Sequence, residues 1–282
     1  MSKILACVDG SVYADSVVDH AAWAAQRLSL PVDVMQVLGR RDAQSTDRSG
    51  RIVAGARRKL LEELASLDAE RAKLAQEEAW LALAEAKTRL QDKGVGAVTT
   101  ALRQGDLLDA MVEREADAAL IVIGKRGEAA DFAKLHLGSN LERIIRAARR
   151  PILIASRAFQ PVTRALIAFD GSDSALKAVE EMARSPHFGG LSCRLVTVGA
   201  ESAASRAALD QSAETLSDAG LTVQTQIVAG QPETAIAAAV GEAGADLLVM
   251  GAYGHSRLRN LVIGSTTSAL IRACQIPVMI YR

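Results

Sequence analysis

The chain has 282 residues, with 33 Lys and Arg against 33 Asp and Glu, so its formal net charge is zero and its length suits two ordinary domains or one large one. Hydrophobic residues at 49% and charged residues at 23% exclude a disordered chain, and the balanced charge argues against a nucleic-acid binder. No apolar run is long enough to span a bilayer, no signal peptide is evident, and three scattered cysteines give no disulfide or zinc pattern, so we expect a cytoplasmic protein without membrane contact.

The first predicted element is a strand over residues 4–8, which ends in Asp9-Gly10-Ser11 and leads into a helical pattern. The same arrangement returns at mid-chain, where the apolar run 165–169 ends in Asp170-Gly171-Ser172. Two further pairs of apolar runs repeat in the same order: 120–124 with 247–251, and 151–154 with 277–280. Three landmarks in one order indicate two copies of one fold, and we predict a first domain over 1–158 and a second over 163–282.

The first copy carries an extended helical insert near 52–93. It contains a single glycine and no proline, and Gly94 follows it as a helix-ending residue would. Pairs such as Lys73–Glu77 and Glu85–Arg89 are spaced to support a helix. Leucine recurs in it every seven residues, at Leu60, Leu67, Leu74 and Leu81.

Such a helix of about 40 residues would measure about 60 Å, more than the width of a domain of this size. It therefore either projects from the domain or breaks into two, near 66–68. Two roles are open: an arm that binds a protein partner or a second copy of the chain, and a simple crossover helix lying over the sheet.

A glycine-bearing loop follows the run 120–124 in the first copy. Gly124, Gly127 and Gly138 frame the loop, and Ser139 follows it. Its charge is mixed, because Glu128 and Asp131 face the positive charges of Lys125, Arg126 and Lys134. Two interpretations remain open: a nucleotide site built on Asp9 and this loop, and a site that is degenerate or binds a different ligand.

In the second copy, short apolar runs alternate with helical patterns. We predict strands near 164–169, 192–198, 222–228, 246–250 and 277–281. We predict helices near 173–185, 202–219, 232–243 and 265–274. Strands that are apolar on both faces are typical of a parallel sheet covered by helices on both sides, so the pattern predicts a doubly wound α/β fold.

The loop over 251–266 carries the strongest functional pattern. Gly251 and Gly254 let the backbone turn sharply and approach a ligand closely. The stretch Gly264-Ser265-Thr266 opens a helix, whose N-terminal N–H groups and dipole favour a phosphate.

Charge and topology point to the same ligand. His255, Arg257 and Arg259 make the loop basic, and no acidic residue lies between Gly251 and Gly264. In a doubly wound sheet, ligands bind beyond the carboxyl ends of the strands, where Asp170 would face the same crevice. We predict that Asp170 contacts a nucleoside and that the loop contacts its phosphates.

These motifs resemble those of the universal stress protein family, whose members carry a G-x2-G-x9-G-[S/T] loop after the fourth strand and an Asp at the end of the first. The resemblance covers essentially the whole chain as two tandem copies. It implies a five-stranded parallel sheet of order 3-2-1-4-5 in each copy, with helices on both faces, and bound ATP, ADP or AMP, with or without Mg²⁺.

The resemblance also implies a set of binding residues. In the second copy the positions are Ala168, Phe169, Asp170, Val198, Met250, Gly251, Gly254, Gly264, Ser265 and Thr266, to which the loop charges add His255 and Arg257. In the first copy they are Asp9, Gly124, Gly127, Gly138 and Ser139, in a loop one residue longer than the family pattern.

The leading hypothesis is an adenine-nucleotide-binding stress-response or regulatory protein that binds mainly in its second copy. The chain has no Walker loop and no Ser–His–Asp pairing on the repeat landmarks, so we assign no catalytic or metal-binding residue and expect at most slow hydrolysis. Two alternatives stay open: a nucleotide-hydrolysing enzyme of the related α-hydrolase type, and an interaction scaffold that acts through the long helix.

The last strand of each copy predicts how the copies assemble. Pro151 and Pro277 open these strands, a position that tolerates proline. An apolar edge such as 152–154 or 278–280 would promote aggregation if it were left bare. We predict that the two strands pair with each other, so that one chain is a pseudo-dimer.

Overall fold

A computed structural model describes residues 2–39, 54–125, 139–185, 188–252 and 264–282. Strands and helices alternate along these residues, as the apolar runs predict. The strands are β1 (Lys3–Val8), β2 (Val32–Leu38), β3 (Val98–Gln104), β4 (Ala118–Gly124), β5 (Ile152–Ala155), β6 (Arg164–Ala168), β7 (Ser192–Val198), β8 (Thr222–Val228), β9 (Leu247–Gly251) and β10 (Val278–Tyr281). The helices are α1 (Ala14–Leu28), α2 (Ala54–Asp92), α3 (Leu107–Glu115), α4 (Ser139–Ala147), α5 (Asp173–Arg184), α6 (Ala203–Asp218), α7 (Pro232–Ala243) and α8 (Ser265–Ala273).

The strands form a single 10-stranded sheet of order β3-β2-β1-β4-β5-β10-β9-β6-β7-β8. We call β1–β5 with their helices the first half and β6–β10 with theirs the second half. Within each half all neighbouring strands are parallel, and each half has the order 3-2-1-4-5. The α/β fold class and the strand order expected from the sequence are therefore confirmed.

The two halves meet where β5 pairs with β10. This pairing is antiparallel and sets Met279 opposite Leu153. All the paired side chains here are buried, so each half covers the apolar edge of the other. The prediction that the last two strands pair within one chain is confirmed.

Helices cover both faces of the sheet because strand side chains alternate between two cores. Ile4 and Ala6 of β1 face one core, which α1, α2, α5 and α6 cover, whereas Leu5 and Cys7 face the other, which α3, α4, α7 and α8 cover. Both cores contain residues from both halves. None of the described helices is both long enough and apolar enough to cross a bilayer.

Helix α2 runs unbroken for 39 residues, so the alternative of a break near 66–68 is wrong. Only its carboxyl-terminal part is docked, through buried Ala79, Leu83, Ala86 and Leu90. Arg89, which the sequence pairs with Glu85, instead donates to both carboxylate oxygens of Asp19 on α1, at 2.6 and 2.7 Å. Residues 60–74 of α2 are almost entirely exposed, so the helix both covers the sheet and projects beyond it.

Candidate functional site

The candidate site lies at the carboxyl ends of β6 and β9, which are neighbouring strands. Ala168 at the end of β6 pairs with Met250 of β9. Asp170 and Gly251 therefore leave adjacent strand ends on the same edge of the sheet, as the sequence predicts. We call the space beyond this edge, between the starts of α5 and α8, the crevice.

A fixed turn holds Asp170 at the rim of the crevice. The preceding residue, Phe169, is buried, and its N–H donates to Val196 O at 2.8 Å while its carbonyl accepts from Thr197 Oγ1 at 2.9 Å. Asp170 Oδ1 then accepts from the Ser172 N–H at 3.0 Å. Because the Asp170 side chain is exposed, its carboxylate is positioned by the turn and still accessible to a ligand.

The turn ends in the N-cap of α5. Gly171 has a φ of 72°, a backbone conformation that favours glycine. Ser172 Oγ caps the helix by accepting from the Ala175 N–H at 3.4 Å. The sequence Asp-Gly-Ser is thus explained locally as a turn followed by a cap.

Gly251 is required for a reason that the sequence does not reveal. A Cβ on Gly251 would lie 2.3 Å from Ser174 Oγ and 2.9 Å from the Ser174 carbonyl carbon. The close approach here is between β9 and the first turn of α5, whereas the sequence analysis attributes it to a ligand. Any side chain at this position would push α5 away from the rim of the crevice.

The other side of the crevice is the N-terminus of α8. Gly264 is its N-cap residue, and within the described residues no side chain caps this helix end. Thr267 Oγ1 donates to Ala252 O at 3.2 Å and so ties the helix to the end of β9. Its first N–H groups are therefore a suitable place for a phosphate. Gly254, His255 and Arg257 lie outside the described residues.

One acidic residue near this helix end was missed by the sequence analysis. Thr266 Oγ1 donates to Glu233 Oε1 at 3.3 Å, which brings a carboxylate from the first turn of α7 to the start of α8. The loop itself is free of acids, but the folded chain supplies one from the first turn of the neighbouring helix α7. The available signal was the position of Glu233 shortly after β8, at the same edge of the sheet.

Apolar side chains line the same edge beside Asp170. Val198 ends β7 and pairs with Val228, the last residue of β8. Both are half-buried and, with Ala168, pack on the same core. Val228 was not predicted, although its place at the end of the third strand of this half corresponds to that of Val198 on the second.

The first half repeats the aspartate turn. Asp9 Oδ1 accepts from the Ser11 N–H at 3.0 Å, the same distance as in the second half. Gly124 ends β4, which neighbours β1, and Ser139 begins α4. Gly127 and Gly138 lie outside the described residues.

Two described cations of the first half bond to groups outside its loop. Lys125 Nζ donates to Arg272 O at 3.2 Å and to Cys274 O, at the carboxyl end of α8 in the second half. Glu128 and Asp131, whose charge Lys125 is expected to offset, lie outside the described residues. Arg143 on α4 forms a bidentate ion pair with Asp106: Nη1 donates to Oδ2 at 2.7 Å and Nη2 donates to Oδ1 at 3.1 Å.

The Asp106–Arg143 pair occupies the place that Glu233 and Thr266 take in the second half. Each joins the starts of the two helices that follow the third and fourth strands of its half. The hydrogen bond from Arg143 lowers the pKa of the Asp106 carboxyl, so this ion pair persists at neutral pH. Arg143 is thereby neutralised beside the edge of the sheet that Asp9 and Gly124 share.

Among the described residues, nucleophiles and metal ligands are not concentrated at the carboxyl ends of the strands in either half. The three cysteines are unpaired and buried, and burial raises the pKa of Cys7 and of Cys193 to about 12. Such thiols stay protonated and unreactive at neutral pH. Among the described residues, no three His, Cys, Asp or Glu side chains gather as a metal site requires.

Comparison with known proteins identifies relatives over the full length. A sequence model of the universal stress protein family matches residues 1–156 and 194–282. The universal stress protein Slr1230 of Synechocystis is 39% identical over 287 aligned positions, which cover 100% of both chains. A solved universal stress protein from Archaeoglobus fulgidus has a TM-score of 0.75 at 21% identity, over 99% of this chain and 98% of its own. The functionally unknown protein PA1789 from Pseudomonas aeruginosa has a TM-score of 0.63 at 15% identity, over 100% and 92%; these two structures show the shared fold.

Proposed function

The chain belongs to the universal stress protein family, and from this premise we propose that it is a regulatory protein of the stress response that binds ATP, ADP or AMP in the crevice of its second half. The proposed ligand residues are those that the sequence indicates, with Asp170 on the nucleoside and the Gly251–Thr266 loop on the phosphates. Val228 adds apolar surface for the base beside Ala168 and Val198. The proposal divides the chain into domains at 1–158 and 163–282.

The observation that carries this proposal is the convergence of three features on one edge. An exposed carboxylate held in a fixed turn suits ribose hydroxyls or an exocyclic amine. A helix N-terminus without a side-chain cap, within the described residues, suits a phosphate. The half-buried apolar ends of β6, β7 and β8 suit an adenine ring.

Two differences in charge between the halves support tighter binding in the second. In the first half, Lys125 donates to a carbonyl of the second half and Arg143 forms an ion pair with Asp106. The first loop also contains Glu128 and Asp131, whereas the second is basic. Phosphate near an acid is repelled, and even about 1.4 kcal/mol of repulsion means a tenfold difference in affinity.

We expect at most slow ATP hydrolysis and a cytoplasmic location. The described residues offer no activated thiol, and their acids do not cluster as a resident metal would require, so Mg²⁺ would enter with the nucleotide and be held mainly by its phosphates. Buried, unpaired cysteines are compatible with a reducing compartment.

A matched pair of substitutions tests the proposal. Asp170→Ala and Asp9→Ala each remove a carboxylate that accepts from a serine N–H at 3.0 Å, so their effects on the turn should be alike. We expect Asp170→Ala to weaken nucleotide binding by about 10–100-fold, because this fold-change corresponds to the free energy of a hydrogen bond to a charged group. We expect Asp9→Ala to leave the affinity of the tighter site nearly unchanged. Isothermal titration calorimetry with ATP, ADP and AMP measures both.

Three outcomes of this experiment count against the proposal. Equal losses from the two variants would contradict the preference for the second half. No binding of any adenine nucleotide by the unaltered protein would contradict the function itself. Rapid ATP turnover in the same preparation would favour the hydrolase alternative.

The projecting part of α2 favours a second role, in assembly. Its exposed leucines are unusual for a helix that only crosses a sheet. This role is independent of nucleotide binding.

A further inference from the structure

The projecting part of α2 has large apolar side chains that are exposed in the described part of the chain. We call residues 60–78 of this helix the arm. Leucines on the arm and just beyond it are between 40% and 66% exposed: Leu60, Leu61, Leu64, Leu67, Leu74 and Leu81. Scattered exposed leucines need no explanation, but six on one helix do.

All of these leucines except Leu61 form one stripe. Four of them follow a seven-residue spacing, and Leu64 lies one turn beyond the first. At 3.6 residues per turn, all five fall within a sector of about 100° that drifts by about 20° per seven residues. This is the pattern of a left-handed coiled coil.

The stripe points away from the body of its own protein. The docked residues Ala79, Leu83, Ala86 and Leu90 define the face of α2 that meets the sheet. Near Leu81 the stripe lies about 170° around the helix axis from that face. The sheet therefore cannot cover the stripe, and a slight bend of the arm in any direction would not change this.

We propose that the arm pairs with the arm of a second copy of this chain in an antiparallel two-stranded coiled coil. The strands β5 and β10, which close the two halves, are paired with each other inside the chain, so they are not available for assembly. The arm presents an exposed apolar stripe, and a second copy supplies a helix with a matching stripe.

Charge decides the direction of pairing. Arg71 and Glu78 stand at the core positions that alternate with the leucines. A parallel pair would set Arg71 on the partner's Arg71 and Glu78 on the partner's Glu78. An antiparallel pair centred between residues 72 and 73 sets Leu64 opposite the partner's Leu81, and places Arg71 one turn from the partner's Glu78.

A repulsion between two glutamates opposes this arrangement, and a nearby lysine partly offsets it. Glu70 would lie near the partner's Glu77, but Lys73 lies 3.8 Å from Glu77 in the same helix and reduces its charge. The overlap of residues 60–85 is about 39 Å long and about 10 Å wide, a narrow strip compared with the ~800 Å² per partner of a stable complex. The dimer is therefore weak, with a dissociation constant in the micromolar range.

Sedimentation velocity on the full chain across the micromolar range tests the assembly. The double variant Leu67→Ser, Leu74→Ser removes the centre of the stripe and should weaken the dimer at least about tenfold. The control is Trp80→Ser, which removes a larger exposed side chain on another face of the same helix and should change the constant by less than about twofold. Far-ultraviolet circular dichroism checks that each variant keeps its helix.

Two results would overturn the proposal. One is an unaltered protein that stays monomeric throughout this range, which would leave the stripe to a different protein partner. The other is a dimer that the double variant does not weaken, or that Trp80→Ser weakens equally.

Disulfide trapping tests the direction. Leu64→Cys with Leu81→Cys should crosslink two chains under mild oxidation, while Leu64→Cys alone should not, because the antiparallel pair keeps the two copies of position 64 apart. The native cysteines are buried and do not compete. Efficient crosslinking by Leu64→Cys alone would show a parallel pair and refute the arrangement.

Discussion

At the residue scale, the carboxylate of Asp33 joins four elements of the first half. Asp33 lies on β2 and is only 1% exposed. Its oxygens accept from Lys3 Nζ of β1 at 2.9 Å, Thr99 Oγ1 of β3 at 2.8 Å and Arg114 Nη1 of α3 at 2.5 Å. Removing one member of a buried ion pair is destabilising, because it leaves the charge of the other members buried without compensation.

This cluster predicts a pH dependence of stability. Burial raises the pKa of Asp33, but the hydrogen bonds from Lys3 and Thr99 and the charge of Arg114 outweigh it, so the net pKa is lowered. In the unfolded chain the Asp33 carboxyl has its ordinary pKa of about 3.9. The contribution of ionised Asp33 to the stability of the folded protein is therefore complete above that pH. It is lost as the pH falls through the lower pKa that Asp33 has in the folded state.

Asp33→Asn tests the cluster. We expect the free energy of unfolding at pH 7 to fall by about 2–4 kcal/mol, because Lys3 and Arg114 lose their counter-charge. The difference between the variant and the unaltered protein should narrow as the pH falls below about 4. Urea denaturation across this pH range measures it, and a difference that does not change with pH would contradict the role of the charge.

At the scale of elements, α2 divides into a docked part and an arm, and a pair of leucines tests the division. Leu83 is fully buried against the sheet, whereas Leu67 is 61% exposed. Leu83→Ala should cost about 2–5 kcal/mol of unfolding free energy, and Leu67→Ala should stay within about 0.5 kcal/mol when the protein is dilute enough to be monomeric. Similar losses from both in urea denaturation would mean that the arm is packed against the body.

The elements of the second half were predicted to within a residue or two, because buried strands are apolar on both faces and strong helix signals separate them. The division of α2 was not predictable. Its most regular pattern, leucine every seven residues, suggests a buried face, yet the docked face consists of Ala79, Leu83, Ala86 and Leu90. A periodic stripe of leucines indicates that a helix has an apolar face, but it does not identify the surface that packs against this face.

The candidate site was predictable where it depends on strand order and not where it depends on packing. The adjacency of Asp170 and Gly251 follows from the order of the parallel strands alone. The contact of Glu233 with Thr266, and the clash that any side chain at Gly251 would make with Ser174, depend on how helices approach the sheet. The hydrogen bonds of Lys125 to Arg272 and Cys274 were not predictable for the same reason, since these two residues lie in the other half of the chain.

At the scale of the whole molecule, the two halves share their cores. Leu153 of β5 and Met279 of β10 face each other across the junction and belong to the same buried cluster. Trp23 of α1 packs near Phe188 of the second half, with ring centroids 6.4 Å apart. Unfolding one half would expose apolar surface of the other, and this couples their stabilities.

The coupling predicts that the chain unfolds in a single transition, and a matched pair of variants tests it. Leu5 on β1 and Leu166 on β6 are fully buried and stand four residues before the two turn aspartates, at equivalent places in the halves. Each substitution by alanine should cost about 2–5 kcal/mol and lower the midpoint of the same transition, because either half unfolds only with the other. Differential scanning calorimetry measures this, since one transition gives equal calorimetric and van't Hoff enthalpies. Two resolved transitions, with Leu5→Ala lowering one and Leu166→Ala the other, would show that the halves unfold independently despite their shared sheet.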